Sequence, residues 1–394
     1  MIVLSTLLFL VACIGHTTIP VVAINWLYGT RYRGWWVSLT RHALQLNVVA
    51  GPPLFLTFFG RALWTGGRWL DLPAPLLAYL AVCWVLGGLV VPAQTVRRWL
   101  RRPPALQLAN HTQTFDVAAE LGYRPYGRGE HRWLAYFPGN EIFQLDVTER
   151  TYRLPQLPPA WDGLMILHVS DLHLCGMPDL PYFERVMDRC AALAPDLVAV
   201  TGDILDSDEH YHWIKPVLGR LRWRLGAFAI LGNHDSWLDV PRIIKEVSAL
   251  GIELVGGRWA RAEVRGAPLV VIGNEMPWLG PLPDLSECPE DGFRLCLSHS
   301  PDQLPWARRH RIDLMLAGHN HGGQVRVPGF GPVLVPSRFS RRYDCGTFHE
   351  PPTVMHVSRG VGGTYPLRCF CRPEVTFLIL RSGPGSADRQ IREN

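Results

Sequence analysis

The chain has 394 residues, 48% of them apolar and 19% charged, with a formal net charge of +5. That length allows two or three domains and a large core. The charge deficit is local: Met1 to Leu70 contains no Asp or Glu, so the arginine excess belongs to apolar segments and gives no ground for nucleic-acid binding. Nine cysteines are scattered from position 13 to 371. An odd count without paired spacing excludes a disulfide framework and fits reduced thiols. Cys369-Phe370-Cys371 has no second pair near it and reads as two strand or loop cysteines.

In chain order, Met1 to Leu27 is uncharged and long enough to span a bilayer core of about 30 Å. It lacks the basic start and short apolar stretch of a signal peptide. Leu72 to Val91 is a second span. Val37 to Phe59 is a weaker one, with Arg41, His42, Gln45 and Asn47 at one end and Pro52-Pro53 in the middle. A third span is preferred there over a re-entrant segment. Trp26, Tyr28, Trp35, Trp36, Trp64 and Trp69 mark the interfacial ends. Arg31 and Arg33 follow the first span, and Arg97, Arg98, Arg101 and Arg102 follow the last. Only Arg61 and Arg68 fall between the second and third. The positive-inside rule therefore predicts an integral membrane protein with its C-terminal domain in the cytoplasm.

Pro103-Pro104 closes this region. Ile142 to Leu154 alternates apolar and polar residues as an edge strand would, and Leu157 to Trp161 leads into the first buried strand. Short apolar, partly β-branched runs follow at Leu164–Val169, Leu197–Thr201, Phe228–Leu231, Leu269–Ile272, Leu295–Leu297 and Leu314–Ala317. Helical patterns at Pro181 to Leu193 and Val240 to Leu250 lie between them. Val354–Val357 and Val375–Leu380 finish without long helices. The expected fold is α/β, a two-sheet α/β/β/α sandwich. The expected organisation is 1–102 membrane region of two or three helices, 103–160 linker and edge strand, 161–380 catalytic domain and 381–394 disordered tail.

Each of five polar groups sits just after an apolar run: Asp171-Leu-His173, Gly202-Asp203, Gly232-Asn233-His234-Asp235, Ser298-His299 and Gly318-His319-Asn-His321. Asp, Asn and His supply the oxygen and imidazole donors that suit Mn²⁺, Fe²⁺, Zn²⁺ or Ni²⁺. Seven of these residues read as ligands for two divalent ions. Single residues of this kind are usually loop residues; Asp196, Asp313 and His168 are read that way.

These five blocks resemble the signature blocks of the calcineurin-like metallophosphoesterases. His168 to His173 with Ala317 to Gln324 is most similar to the small bacterial membrane-associated branch. The resemblance implies that Asp171, His173 and His321 hold one metal and Asn233, His299 and His319 the other, with Asp203 bridging. A carboxylate can span two ions and an imidazole cannot. Two cations lower the pKa of a shared water enough to give hydroxide near neutral pH. His234 would meet the leaving-group oxygen as general acid, with Asp235 as its orienting partner. Arg359 and Arg368, after the last block, are read as solvated surface arginines in preference to phosphate contacts.

The expected function is a membrane-anchored dinuclear phosphoesterase, Mn²⁺ favoured, that cleaves a phosphodiester or pyrophosphate bond. A lipid such as UDP-2,3-diacylglucosamine is the substrate class the resemblance points to. The alternative is a tethered phosphomonoesterase for phosphoproteins or soluble nucleotides. A metal-free scaffold is disfavoured because all seven ligands and His234 are present, and a transporter because the spans carry few charges. The partners expected are a phosphorylated small molecule or lipid and the membrane, with no nucleic acid.

Overall fold

The computed structural model describes residues 2–32, 34–64, 72–289 and 292–383. Arg33, Arg68 and Trp69 of the expected span ends, and residues 384–394 of the expected tail, lie outside these. The chain divides into two compact units, one of residues 1–102 and 328–340, the other of 103–327 and 341–394.

In the first unit α1 (Ile2–Tyr28), α2 (Trp35–Trp64) and α3 (Ala74–Val85) are followed by a π-turn at Leu86–Val90 and α4 (Val91–Trp99). Among the described residues two stretches are long and apolar enough to cross a membrane, Val3–Tyr28 and Ala74–Trp99. α2 runs through Pro52-Pro53 as one helix. Small residues let the helices approach: a Cβ on Gly15 would lie 1.9 Å from the Cys83 carbonyl oxygen, and one on Gly87 2.1 Å from that of Val11. Lipid-embedded helices associate by such close packing because apolar surface gains nothing by leaving lipid. Residues 328–340 join this unit through the buried Asn25, whose side chain accepts from Val335 N–H (3.0 Å) and donates to Ser340 Oγ (2.8 Å).

The second unit is a two-sheet sandwich. Its elements are β1 (Gln107–Asp116), α5 (Val117–Leu121), β2 (Gln144–Leu154), β3 (Leu164–Val169), α6 (Leu180–Ala192), β4 (Leu197–Thr201), α7 (Ile214–Leu218), β5 (Gly226–Ile230), α8 (Val240–Ser248) and β6 (Glu253–Leu254). They continue with β7 (Trp259–Val264), β8 (Ala267–Asn274), β9 (Phe293–Ser298), α9 (Leu304–Arg309), β10 (Leu314–Ala317), β11 (Gly346–Glu350), β12 (Thr353–Val357) and β13 (Glu374–Ser382). One sheet has the order β1-β2-β13-β3-β4-β5-β6 and the other β11-β12-β10-β9-β8-β7.

Alternation within the buried strands builds the layers. In β4, Leu197 and Ala199 face the second sheet and pack with Leu295, Leu297, Leu314 and Leu316. Val198 and Val200 face the other way and pack with Phe183, Val186 and Met187 of α6. A strand buried on both faces reads as a continuous apolar run for this reason. α6 begins at an Asp179 cap that accepts the Tyr182 N–H, and α8 at an Asp239 cap that accepts the Arg242 N–H.

Two boundaries differ from expectation. Residues 144–154 form an interior strand, antiparallel to β1 on one side and parallel to β13 on the other. The segment from 103 to 160 thus contributes two strands to the sheet. The edge strand on this side of the sheet is β1, whose pairing with β2 is non-local and leaves no periodic trace. The last strand also takes in Arg381 and Ser382, where Arg381 pairs with Asp162 at 2.9 Å.

Candidate metal centre

All seven expected ligands follow the C-terminal ends of β3, β4, β5, β9 and β10, the edge where an α/β sheet presents its chemistry. Their backbones are special. Asp171, His173, Asp203, His319 and His321 have φ between 47° and 67°, the left-handed region that non-glycine residues avoid. Strain of this kind persists only where surrounding structure enforces it. Gly318 is enforced by space: a Cβ there would lie 1.9 Å from Ser170 Oγ and 2.3 Å from Asp171 Oδ2.

The side chains converge. Asp203 Oδ2 lies 3.4 Å from His173 Nε2 and 3.2 Å from His299 Nε2, between the two halves of the site. His173 Nε2 faces His321 Nε2 at 3.0 Å, and His321 Nε2 lies 3.6 Å from Asp171 Oδ1. On the other side Asn233 Oδ1 is 3.0 Å from His299 Nε2. Asp171, His173 and His321 form one group with donor atoms within 4.8 Å of one another, and Asp203, His299 and His319 another. His319 Nε2 is buried with no hydrogen-bond partner among the described residues. Imidazole nitrogens turned on one another, an orphaned buried nitrogen and buried carboxylates are a donor set that divalent cations fit.

Outer contacts set the histidine tautomers. His299 Nδ1 meets the Thr201 carbonyl oxygen at 2.7 Å and His173 Nδ1 meets Asp206 Oδ1 at 2.6 Å, so each Nε2 is left to the centre. Burial works against charge on these rings, but Asp206, Asp203 and Asp171 push His173 up to about 9. Asp203 and Asp171 push His299 up to about 9 against the same burial. Burial also opposes ionisation of Asp203, yet His299 and His234 hold it well below the usual carboxylate range. Asp203 is thus held as a carboxylate facing imidazoles on both sides.

Two expectations are corrected. Asp235 does not orient His234. Its carboxylate is fully buried and accepts the backbone N–H groups of Ile204, Leu205 and Gly232. Burial, and then the neighbouring Asp203, pushes it up to about 6. The partner of His234 is Asp206, whose Oδ1 lies 3.0 Å from His234 Nδ1 while it also meets His173. His173, Asp206 and His234 form a third donor group. Asp206 stands three residues after Asp203, and that spacing was the available sequence signal.

The arginines are not on the surface either. Arg359 pairs with Glu374 at 2.7 Å and Asp146 at 3.0 Å. Arg368 is fully buried and donates to the carbonyl oxygens of His321 and Arg359 and to His321 Nδ1 at 3.1 Å. A surface reading fails because their partners come from strands and loops far away in sequence. Trp278 is a further neighbour without sequence signal, its ring 4.6 Å from that of His319 and 5.5 Å from that of His299.

The family model for calcineurin-like phosphoesterases matches residues 164–323. The chain is 30% identical over 257 residues to the uncharacterized metallophosphoesterase YkuE of Bacillus subtilis, covering 61% of this chain and 87% of that one. The chain belongs to the calcineurin-like phosphoesterases. It is a hydrolase of phosphate esters in that family, whose members use divalent metals. It is similar also to the phosphodiesterase YaeI of Escherichia coli, at 30% identity over 55% of this chain and 81% of the relative. A third relative is the UDP-2,3-diacylglucosamine pyrophosphatase LpxG of Chlamydia muridarum, 24% identical over 59% of this chain and 88% of that protein.

Proposed function

We propose that this chain is an integral membrane phosphodiesterase or pyrophosphatase with a dinuclear metal centre, its catalytic unit on the cytoplasmic side. The observation that carries the reading is the Asp203 carboxylate set between His173 and His299, 3.4 Å and 3.2 Å from their Nε2 atoms. Asp171, His173 and His321 would hold one divalent ion, Asn233, His299 and His319 the other, and Asp203 both. Mn²⁺ is the favoured metal. Bound there, the two ions would supply the acidity that makes a water nucleophilic near neutral pH and would polarise the phosphoryl oxygens.

The chain's own residues supply the rest. Asp206 takes the Nδ1 side of both His173 and His234, which leaves Nε2 as the second working nitrogen of each ring. His234 can then deliver a proton to the leaving-group oxygen, and the Asp206 charge stabilises the ring while it is protonated. Asp235 holds the turn that carries Asn233 and His234 through the backbone of both flanking loops. A lipid substrate such as UDP-2,3-diacylglucosamine is supported by the two apolar helices and by the likeness to LpxG. A tether raises the effective concentration of a membrane-borne substrate without new contacts.

The test is hydrolysis of bis-p-nitrophenyl phosphate by the full chain in detergent, with Mn²⁺ or EDTA, beside Asp203→Ala. Metal-dependent turnover that falls at least about 10³-fold in the variant is the expected result, the scale for losing a residue central to the chemistry. Turnover on a monoester with none on the diester would favour the phosphomonoesterase instead.

A further inference from the structure

The catalytic unit carries an apolar surface that its hydrolytic chemistry does not use. Trp133, Tyr136 and Phe137 are 67%, 59% and 53% exposed, and Tyr365 and Phe370 are 51% and 67% exposed. The two segments are 230 residues apart in sequence at their midpoints, to the nearest ten, yet one side chain ties them together. Asn140 donates from Nδ2 to the carbonyl oxygens of Leu134 (3.0 Å) and Pro366 (2.7 Å). Its Oδ1 accepts from the N–H groups of Ile142 (3.0 Å) and Arg368 (2.9 Å). The His131 and Tyr365 rings also lie 4.7 Å apart. The two segments that carry the five aromatics are therefore braced against each other.

These segments border the metal centre. Thr364 Oγ1 donates to Asp206 Oδ2 at 2.7 Å, and Arg368 donates to His321 Nδ1 at 3.1 Å. Exposed Arg124, Arg128 and Arg132 lie along the same segment as Trp133, against one acidic residue, Glu130, between positions 123 and 137. Clustered exposed aromatics on a soluble unit mark an interaction site. Aromatics mixed with arginine have the composition of a membrane–water interface, the rings at headgroup level and the guanidinium groups on phosphate.

We propose that Trp133, Tyr136, Phe137, Tyr365 and Phe370 form a bilayer-docking surface for anionic phospholipid headgroups, which sets the mouth of the metal centre against the lipid. The charge complementarity of the three arginines and the apolar spans of the same chain favour a bilayer as occupant over a second copy or a protein partner. The link to lipid substrates rests on the phosphodiesterase reading; the docking itself does not.

The experiment compares amide hydrogen exchange in full-length protein held in amphipol, which offers no bilayer, and in nanodiscs containing phosphatidylglycerol. Segments 131–137 and 364–371 are expected to exchange about ten-fold more slowly in the nanodiscs, and Trp133→Asp/Phe137→Asp is expected to abolish the difference. Equal exchange in both preparations overturns the proposal, as does protection that follows protein concentration instead of lipid, which would indicate a second copy. A parallel assay reads the ratio of turnover on a nanodisc-borne phosphodiester lipid to that on bis-p-nitrophenyl phosphate. That ratio should fall about ten-fold in the double variant. Absence of turnover on either substrate would count against the phosphodiesterase reading, while the exchange measurement still decides the surface.

Discussion

Two neighbouring carboxylates, Asp206 and Asp235, show how much side-chain direction matters at the scale of a residue. Asp235 spends its oxygens on backbone N–H groups of two loops, and Asp206 spends its own on two imidazoles and a threonine. Their substitutions should therefore separate. Asp206→Asn keeps the shape but removes the charge that supports a protonated His234. It is expected to lower kcat on bis-p-nitrophenyl phosphate about 10²-fold, the usual weight of one acid–base group, with KM changed far less. Asp235→Asn turns an NH₂ or a single oxygen toward donors that need acceptors. It is expected to destabilise the fold by about 2 kcal/mol, read as a lower midpoint of thermal unfolding. A fall in kcat for Asp235→Asn without loss of stability would reverse the assignment.

The five ligand blocks were readable at this scale because each is local: a ligand type, a preceding apolar run and a short spacing. Asp206 was within reach of the same reading by its distance from Asp203. The pairing of His234 was not, since a one-residue change of direction in the turn decides whether a carboxylate meets a ring or the backbone beneath it. Arg359 and Arg368 escaped for a related reason. A buried arginine needs its acceptors supplied by other elements, and nothing adjacent in the chain announces them.

At the scale of elements, the strand ends are what hold five of the seven candidate ligands in left-handed backbones. The turn after β10 passes so near the turn after β3 that Gly318 has no room for a side chain. Gly318→Ala is expected to push these two turns apart and weaken Mn²⁺ binding by about 10- to 100-fold, the range seen when groups supporting metal ligands are altered. Calorimetric titration of the purified protein measures this directly; unchanged affinity would show that the turns can move without cost. Buried strands in this unit were legible because burial on both faces leaves continuous apolar runs. β2 reads as an edge strand because its alternation reports one half-buried face, whereas its pairing with β13 joins residues more than two hundred positions apart.

The whole molecule is divided in charge as well as in structure. Every Asp and Glu lies beyond Leu70, while arginines cluster where α4 ends. Basic residues stay on the cytoplasmic side during insertion. A green fluorescent protein fused after Asn394 is accordingly expected to fluoresce, and an alkaline phosphatase fused there to stay inactive. Active phosphatase at that position would place the metal centre outside the cell and remove the proposed cytoplasmic substrate.

Composition and periodicity alone gave the apolar amino-terminal region and the buried strands, and the five short motif blocks with the resemblance they carry named the seven candidate donors and His234, because each depends on residues close together in the chain. The tertiary structure decided what depends on distant residues meeting. It made Asp203 the carboxylate between two imidazoles, gave His234 to Asp206, buried Arg368, paired Arg359 with two carboxylates and tied two distant aromatic-bearing segments together through Asn140. Hydrogen-bond partners are chosen by where folded backbones bring donors and acceptors, and that choice is made only after the chain has closed on itself.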